Sequence, residues 1–153
     1  MTEEIKYIVR VVGKDLNGIY PIERAIRGIK GISFSLARAI ALIFEKETKV
    51  AYDTKLGLLK EKEVKKLEDI IIHPENYGIP SWLLNRRKDP ESGKDMHLVM
   101  ADLDFSLRKD KQRLSRIKSY RGIRLMLGLP VRGQRTKSSF RRGPVIGVSK
   151  KEK

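Results

Sequence analysis

The positive charge of this sequence is concentrated in its last third. From Arg108 to the C-terminus there are 16 Lys and Arg against two acids, whereas the whole 153-residue chain has 34 Lys and Arg against 19 Asp and Glu. The first two thirds are therefore nearly neutral. Like charges at this density repel one another, so the basic region is poorly suited to form a compact fold by itself. Its charge indicates a footprint for a polyanion such as nucleic acid.

The centre of the basic region mixes cations with residues that interrupt regular structure. It reads Arg-Gly-Ile-Arg over 121–124 and Gly-Leu-Pro-Val-Arg-Gly-Gln-Arg-Thr over 128–136. Glycine and proline disfavour helices and sheets, and cations are costly to bury. We therefore expect these residues to form neither a regular helix nor a sheet and to need an anionic partner. From Gly128 onward the pattern predicts an extended, strand-like tail, with free disorder as the alternative.

Before the basic region, the apolar pattern predicts a hairpin followed by helices. Residues 5–12 are rich in β-branched side chains and are followed by Gly13, which is typical of a short strand or hairpin. Apolar residues at spacings of three and four then predict two short helices on either side of the turn 28–33, Gly-Ile-Lys-Gly-Ile-Ser. This turn is either a plain connection between packed helices or a helix-hairpin-helix turn, whose backbone N–H groups bind a phosphate.

Further along, the same pattern predicts a helix within residues 49–72 and a longer one from about Met96 to Tyr120. Trp82, between them, is expected to be a core residue. Towards its C-terminal end the longer helix becomes basic on its polar faces, so it leads from the neutral body into the basic region.

The residues do not indicate catalysis or a metal site. The chain has no cysteine, and neither His73 nor His97 stands in a metal-ligand spacing. Asp102 and Asp104 are two residues apart, which places them on different faces of a helix. We therefore predict that the protein is not an enzyme, with no metal and no cofactor. The acidic N-terminus and the lack of a long apolar run predict a soluble chain without an export signal.

Several motifs together resemble the small-subunit ribosomal protein S thirteen family, in its archaeal and eukaryotic branch. The resemblance covers essentially the whole chain and rests on Asn17-Gly18, Gly28-Ile29-Lys30-Gly31, Arg121-Gly122-Ile123-Arg124, Gly128 to Lys137, Arg141-Arg142-Gly143 and Val148-Ser149-Lys150-Lys151. Leu125 departs from the family pattern, which usually has histidine there.

The resemblance implies a mainly α fold: a helix-two-turns-helix body with a short N-terminal β hairpin, a long helix and an extended basic C-terminal tail. We expect a helical RNA-binding body over 1–127 and the tail over 128–153. The family implies a cytoplasmic, structural constituent of the ribosome. Its implied partners are small-subunit rRNA, peptidyl-site tRNA, small-subunit protein S nineteen and large-subunit protein L five, the last through a bridge between the subunits; no membrane is implied.

The predicted contact residues are basic side chains, taken from the family motifs and from the basic helix and turn beside them. Those predicted to bind rRNA are Lys30, Arg113, Arg116, Lys118, Arg121, Arg124, Arg132, Arg135, Lys137, Arg141 and Arg142, and those predicted to approach tRNA are Lys150, Lys151 and Lys153. The alternative function is a DNA-binding architectural or repair accessory protein that uses a helix-hairpin-helix-like turn.

Overall fold

A computed structural model describes residues 5–137 and 139–140 of the chain. The chain divides into two compact units, one up to Phe105 and one from Ser106 onward. Helix α4, Met100–Arg116, contains the division. Within the described residues no helix has both the length and the apolar character needed to cross a membrane.

The first unit begins with the predicted hairpin. Strands β1 (Ile8–Val11) and β2 (Lys14–Asn17) pair antiparallel, with Val9 opposite Leu16. Val9, Val11 and Leu16 are buried, whereas Ile8 is exposed. The hairpin therefore places one face on the core, which a two-stranded sheet needs in order to persist.

Three helices complete this core. They are α1 (Ile22–Ile26), α2 (Phe34–Thr48) and α3 (Glu61–Ile72). Each buries an apolar stripe at helical spacing, as expected for helices that pack around one centre. The buried helical residues are Ile22, Ala25, Ile26, Leu36, Ala37, Ile40, Ala41, Phe44, Leu67, Ile70 and Ile71. The predicted hairpin and the two helices around residues 28–33 are confirmed, but α2, with 15 residues, is not short.

The helix predicted within residues 49–72 is confirmed as α3, and it occupies only the second half of that range. Lys49 adopts a left-handed conformation that ends α2, and only a short 3-10 turn, Leu56–Leu58, precedes α3. Backbone bonds to the hairpin region hold this segment: Leu56 N–H donates to the Tyr20 carbonyl at 3.0 Å and Gly57 N–H donates to the Gly18 carbonyl at 2.9 Å. These tertiary hydrogen bonds replace the helical ones.

The prediction that Trp82 is a core residue is wrong, because its side chain is 68% exposed. Trp82 lies in a single 3-10 turn, Ser81–Leu83. From this turn the chain buries Leu84 and partly buries Leu83 instead.

The long helix is shorter than predicted and is followed by a second one. Helix α4 ends at Arg116, Lys118 takes a left-handed φ of 55°, and helix α5 (Tyr120–Met126) begins after Ser119. The prediction that residues 121–124 cannot form a regular helix is wrong, since all four lie in α5. From Leu127 to Lys137 and at residues 139–140 the chain has neither helix nor strand.

Candidate nucleic-acid interface

In the second unit, α5 makes a very close contact with the end of α4. Gly122 is buried, and a Cβ added to it would lie 2.2 Å from the Leu114 carbonyl oxygen. No other residue type fits this position without a shift of the backbone. The glycine that suggested irregular structure in the sequence is therefore what allows two helices to meet.

Ser119 fixes the start of α5. Its hydroxyl accepts a hydrogen bond from the Gly122 N–H at 3.1 Å and donates one to the Leu114 carbonyl at 3.2 Å. The first bond satisfies an N–H group that the helix itself cannot, as an N-cap serine does. The second bond ties the cap to α4. Together with the contact at Gly122, these bonds hold α5 against the end of α4.

Arg124 holds the chain that follows α5. Its Nε donates to the Pro130 carbonyl at 3.0 Å, while its backbone carbonyl accepts from the Leu129 N–H at 2.9 Å. Its guanidinium carbon lies 6.0 Å from the centre of the Tyr120 ring. Arg124, predicted to bind rRNA, is therefore half-buried and has an intramolecular structural role.

The other predicted cations of this unit that the structure describes are exposed. Arg113 and Arg116 lie at the end of α4, Lys118 lies between the helices, and Arg121 lies on α5. The guanidinium of Arg113 lies 3.9 Å from the carboxylate of Asp110, the acidic residue one turn earlier on α4. Exposed cations fixed on a short, close-packed helix pair present charge in a defined pattern, which favours contact with phosphates.

Three more predicted cations, Arg132, Arg135 and Lys137, follow Pro130 and are exposed. They belong to the segment without helix or strand, as expected for the tail. The remaining predicted residues lie outside the described part of the chain: Arg141, Arg142, Lys150, Lys151 and Lys153.

Lys30 belongs to the first unit, in the turn between α1 and α2. Its ammonium group makes an ion pair with Asp104, so a carboxylate already balances its charge. The backbone of the turn is fixed as well, because Lys30 accepts from the Met100 N–H at 2.9 Å and Gly31 takes a φ of 110°. Gly31 also lies where a Cβ would be 2.7 Å from the Leu98 carbonyl oxygen.

Sequence reasoning missed two arginine–aromatic pairs beside the same turn. The guanidinium carbons of Arg24 and Arg27 lie 4.3 Å from the ring centres of Tyr20 and Phe34, respectively. Tyr20 lies just before α1 and Arg24 lies within it, and their spacing of four residues was a usable signal. The pairing of Arg27 with Phe34 depends on how the turn folds and had no comparable signal.

The fold and the surface charge define a helical protein with an apolar-cored first unit and a basic second unit suited to a polyanionic partner. Comparison with known proteins gives the family. The family model described as "Ribosomal protein S13/S18" matches residues 10–142. The chain belongs to this family of structural ribosomal proteins, which are not enzymes.

Several archaeal proteins are similar to this chain over nearly their whole length. The chain is 44% identical to "Small ribosomal subunit protein uS13" of Methanothermobacter thermautotrophicus over 155 residues, which covers 100% of both chains. It is 47% identical to the protein of that name from Methanocaldococcus jannaschii, over 98% of this chain and 97% of the other. It is 43% identical to the protein of that name from Saccharolobus solfataricus, over 99% of this chain and 90% of the other.

The predicted family, in its archaeal and eukaryotic branch, and the mainly α fold are thus confirmed. The protein is a structural constituent of the small ribosomal subunit and lies with that subunit in the cytoplasm. This assignment favours RNA over the alternative of a DNA-binding architectural or repair protein.

Proposed function

We propose that the second unit binds small-subunit rRNA through two sets of cations, one fixed on helices and one in the segment that follows them. Arg113, Arg116 and Arg121 are positioned by the closely packed α4 and α5, so they contact phosphates at fixed spacing. Arg132, Arg135 and Lys137 follow in a segment that adapts to the RNA surface. The observation that carries this proposal is the concentration of exposed cations on a helix pair fixed by Gly122 and Ser119.

In this proposal Arg124 acts mainly inside the protein. By bonding the Pro130 carbonyl it directs the chain as it leaves α5. The cations after Pro130 therefore start from a defined point, which lowers the entropy lost when they bind. Residues 1–127 then serve as the body and residues 128–153 as the tail.

The finer contacts of the proposal concern partners beyond rRNA. The C-terminal cations Lys150, Lys151 and Lys153 approach peptidyl-site tRNA, and the body contacts small-subunit protein S nineteen and bridges to large-subunit protein L five. These contacts rest on the family resemblance, supported by the net positive charge of the tail. Deletion of residues 145–153 is expected to weaken tRNA retention and to leave subunit assembly intact.

The central test measures the affinity of the full chain for small-subunit rRNA as a function of salt. One variant has glutamine at Arg132, Arg135 and Lys137. If each cation neutralises one phosphate, this variant should reduce the slope of log affinity against log salt concentration by about 2 to 3 and weaken binding roughly 100-fold near physiological salt. The matched control replaces Lys46, Lys62 and Lys65, exposed lysines of the first unit, with glutamine.

The control removes the same charge from the nearly neutral unit, so it is expected to change the slope much less. Equal loss in the two triple variants would contradict the proposal, because it would show that net charge rather than the basic unit governs binding. An unchanged slope in the Arg132, Arg135 and Lys137 variant would contradict it as well.

A further inference from the structure

A groove with only positive charges along its sides lies in the first unit, where α1 leads into α2. Its volume is about 410 Å³ and it is open to solvent. We call it the Phe34 groove; its lining residues are Tyr20, Arg24, Arg27, Gly28, Ile32, Ser33 and Phe34. No acid lines it, although the first two thirds of the chain carry almost equal numbers of acids and bases.

Core packing does not explain the aromatic residue at this groove. Phe34 is the first residue of α2 and its side chain is 69% exposed, whereas nearby in the sequence Ile29, Ile32 and Leu36 are buried in the core. An apolar side chain left this exposed removes little apolar area from water, so it contributes little to the stability of the fold. The ring is therefore better explained by a ligand that contacts it.

The arginines are arranged to bind an anion beside that ring. Arg27 stacks over Phe34, and Arg24 stacks over Tyr20. Stacking orders a guanidinium without using its N–H groups, which stay in the plane and can donate to a phosphate. Since one guanidinium covers one face of the ring, the exposure of Phe34 leaves room for a second planar group.

The start of α2 adds to the positive potential in the groove. The first turn of the helix has no acidic residue, and the Ser33 hydroxyl, at the N-cap position, makes no capping bond. Positive helix-end charge beside two stacked arginines and an open ring matches the two parts of a nucleotide, a negative phosphate and a flat base.

We propose that the Phe34 groove binds one unpaired nucleotide of RNA, with the base stacked on Phe34 and the phosphate held by Arg27 and Arg24. This inference rests on the proposed binding of rRNA and adds a second contact in the other unit. Its chemistry differs from that of the tail, because stacking requires an unpaired base whereas the tail cations act on any phosphate backbone.

The test compares the affinity of the full chain for two RNA probes at the same salt concentration: single-stranded octauridylate and a short, fully paired RNA duplex. Phe34→Leu is expected to weaken binding to octauridylate about 5- to 100-fold and to leave duplex binding unchanged. Phe34→Trp keeps a stacking surface and is expected to retain the affinity. The matched control is Trp82→Leu, which removes an equally exposed aromatic side chain from the same unit.

Phe34→Leu would overturn the proposal if it matched Trp82→Leu on both probes, or if it weakened both probes equally. The glutamine variant of Arg132, Arg135 and Lys137 separates the two proposals, since it should weaken binding to both probes. If that variant had no effect while Phe34→Leu still acted selectively on octauridylate, the tail proposal would fail and the groove would stand.

Discussion

The two units of this protein are ordered by different means. The first encloses apolar side chains from the hairpin and from α1, α2 and α3, and its core includes fully buried residues such as Phe44. In the described residues of the second unit, the buried positions are Ser106, Gly122 and Pro130, while large apolar side chains such as Tyr120 and Met126 are exposed. The first unit therefore derives its stability from burial, and the second depends on a few specific contacts.

This difference explains where the charge can lie. A net charge far from zero destabilises a compact unit through self-repulsion, so balanced surface charge suits the unit that depends on its core. The basic unit has little core to protect, and a bound polyanion removes the repulsion. Four predictions test this contrast, in order of decreasing expected effect.

The largest effect is expected from removing a core side chain of the first unit. Phe44→Ala should lower the free energy of unfolding by about 3–5 kcal/mol, because it leaves a cavity among fully buried neighbours. Phe105→Ala, at a residue 67% exposed on α4, should change it by less than about 0.5 kcal/mol. Chemical denaturation followed by circular dichroism measures both; similar losses would contradict the burial assigned to these two rings.

In the second unit, the expected weak point is the contact between α5 and α4. Gly122→Ala should lower the local opening free energy of α5 by about 1–3 kcal/mol, because the new methyl group collides with the Leu114 carbonyl. Hydrogen exchange of the α5 amides measures this opening. Arg121→Ala, at the neighbouring exposed position, is the control and should leave exchange nearly unchanged; protection retained in Gly122→Ala would refute the close contact.

Two serines at N-cap positions give a smaller and directly comparable effect. Ser119→Ala should lower the local opening free energy of α5 by about 1 kcal/mol, since the hydroxyl caps the Gly122 N–H. Ser33→Ala, at the start of α2, should cost almost nothing, because that hydroxyl makes no capping bond. Amide exchange at the start of each helix reports both changes. A larger cost at Ser33 would reverse the contrast between the units.

The smallest effect is a pH dependence of the first unit. Burial lowers the pKa of His97 below its ordinary value of 6.5, while the Glu75 carboxylate partly opposes the shift. As the pH falls through 6.5, the unfolded chain takes up a proton that the folded chain does not, so the free energy of unfolding decreases. His97→Leu should reduce this loss between pH 7 and pH 5.

The control for that measurement is Phe105→Ala, which changes an exposed side chain that carries no proton in this pH range. Denaturation curves at the two pH values should show the same pH dependence for this variant as for the unchanged chain. If His97→Leu also kept the full dependence, the loss of stability would have to come from other groups.

Much of the fold was predictable from the sequence where one local pattern dominated. The β-branched run before Gly13 gave a hairpin, and the apolar spacing around Ile22 and Ile40 gave helices that bury those side chains. The start of the helix within 49–72 was not predictable, because backbone bonds such as that from Gly57 to Gly18 connect distant residues and hold the chain before α3 in another form. Trp82 was misplaced for a similar reason, since apolar character alone does not specify which side of a 3-10 turn faces the core.

The sequence by itself determined the family, the mainly α fold and the separation of charge between the two units, because these depend on residue types and their order. Only the tertiary structure shows that residues 121–124 form a helix. The close packing of Gly122 against Leu114 stabilises that helix, and local helix propensity does not predict such packing. The tertiary structure also brought Arg27 over Phe34. Contacts of this kind depend on the distance between atoms of separate elements, which only the folded chain defines.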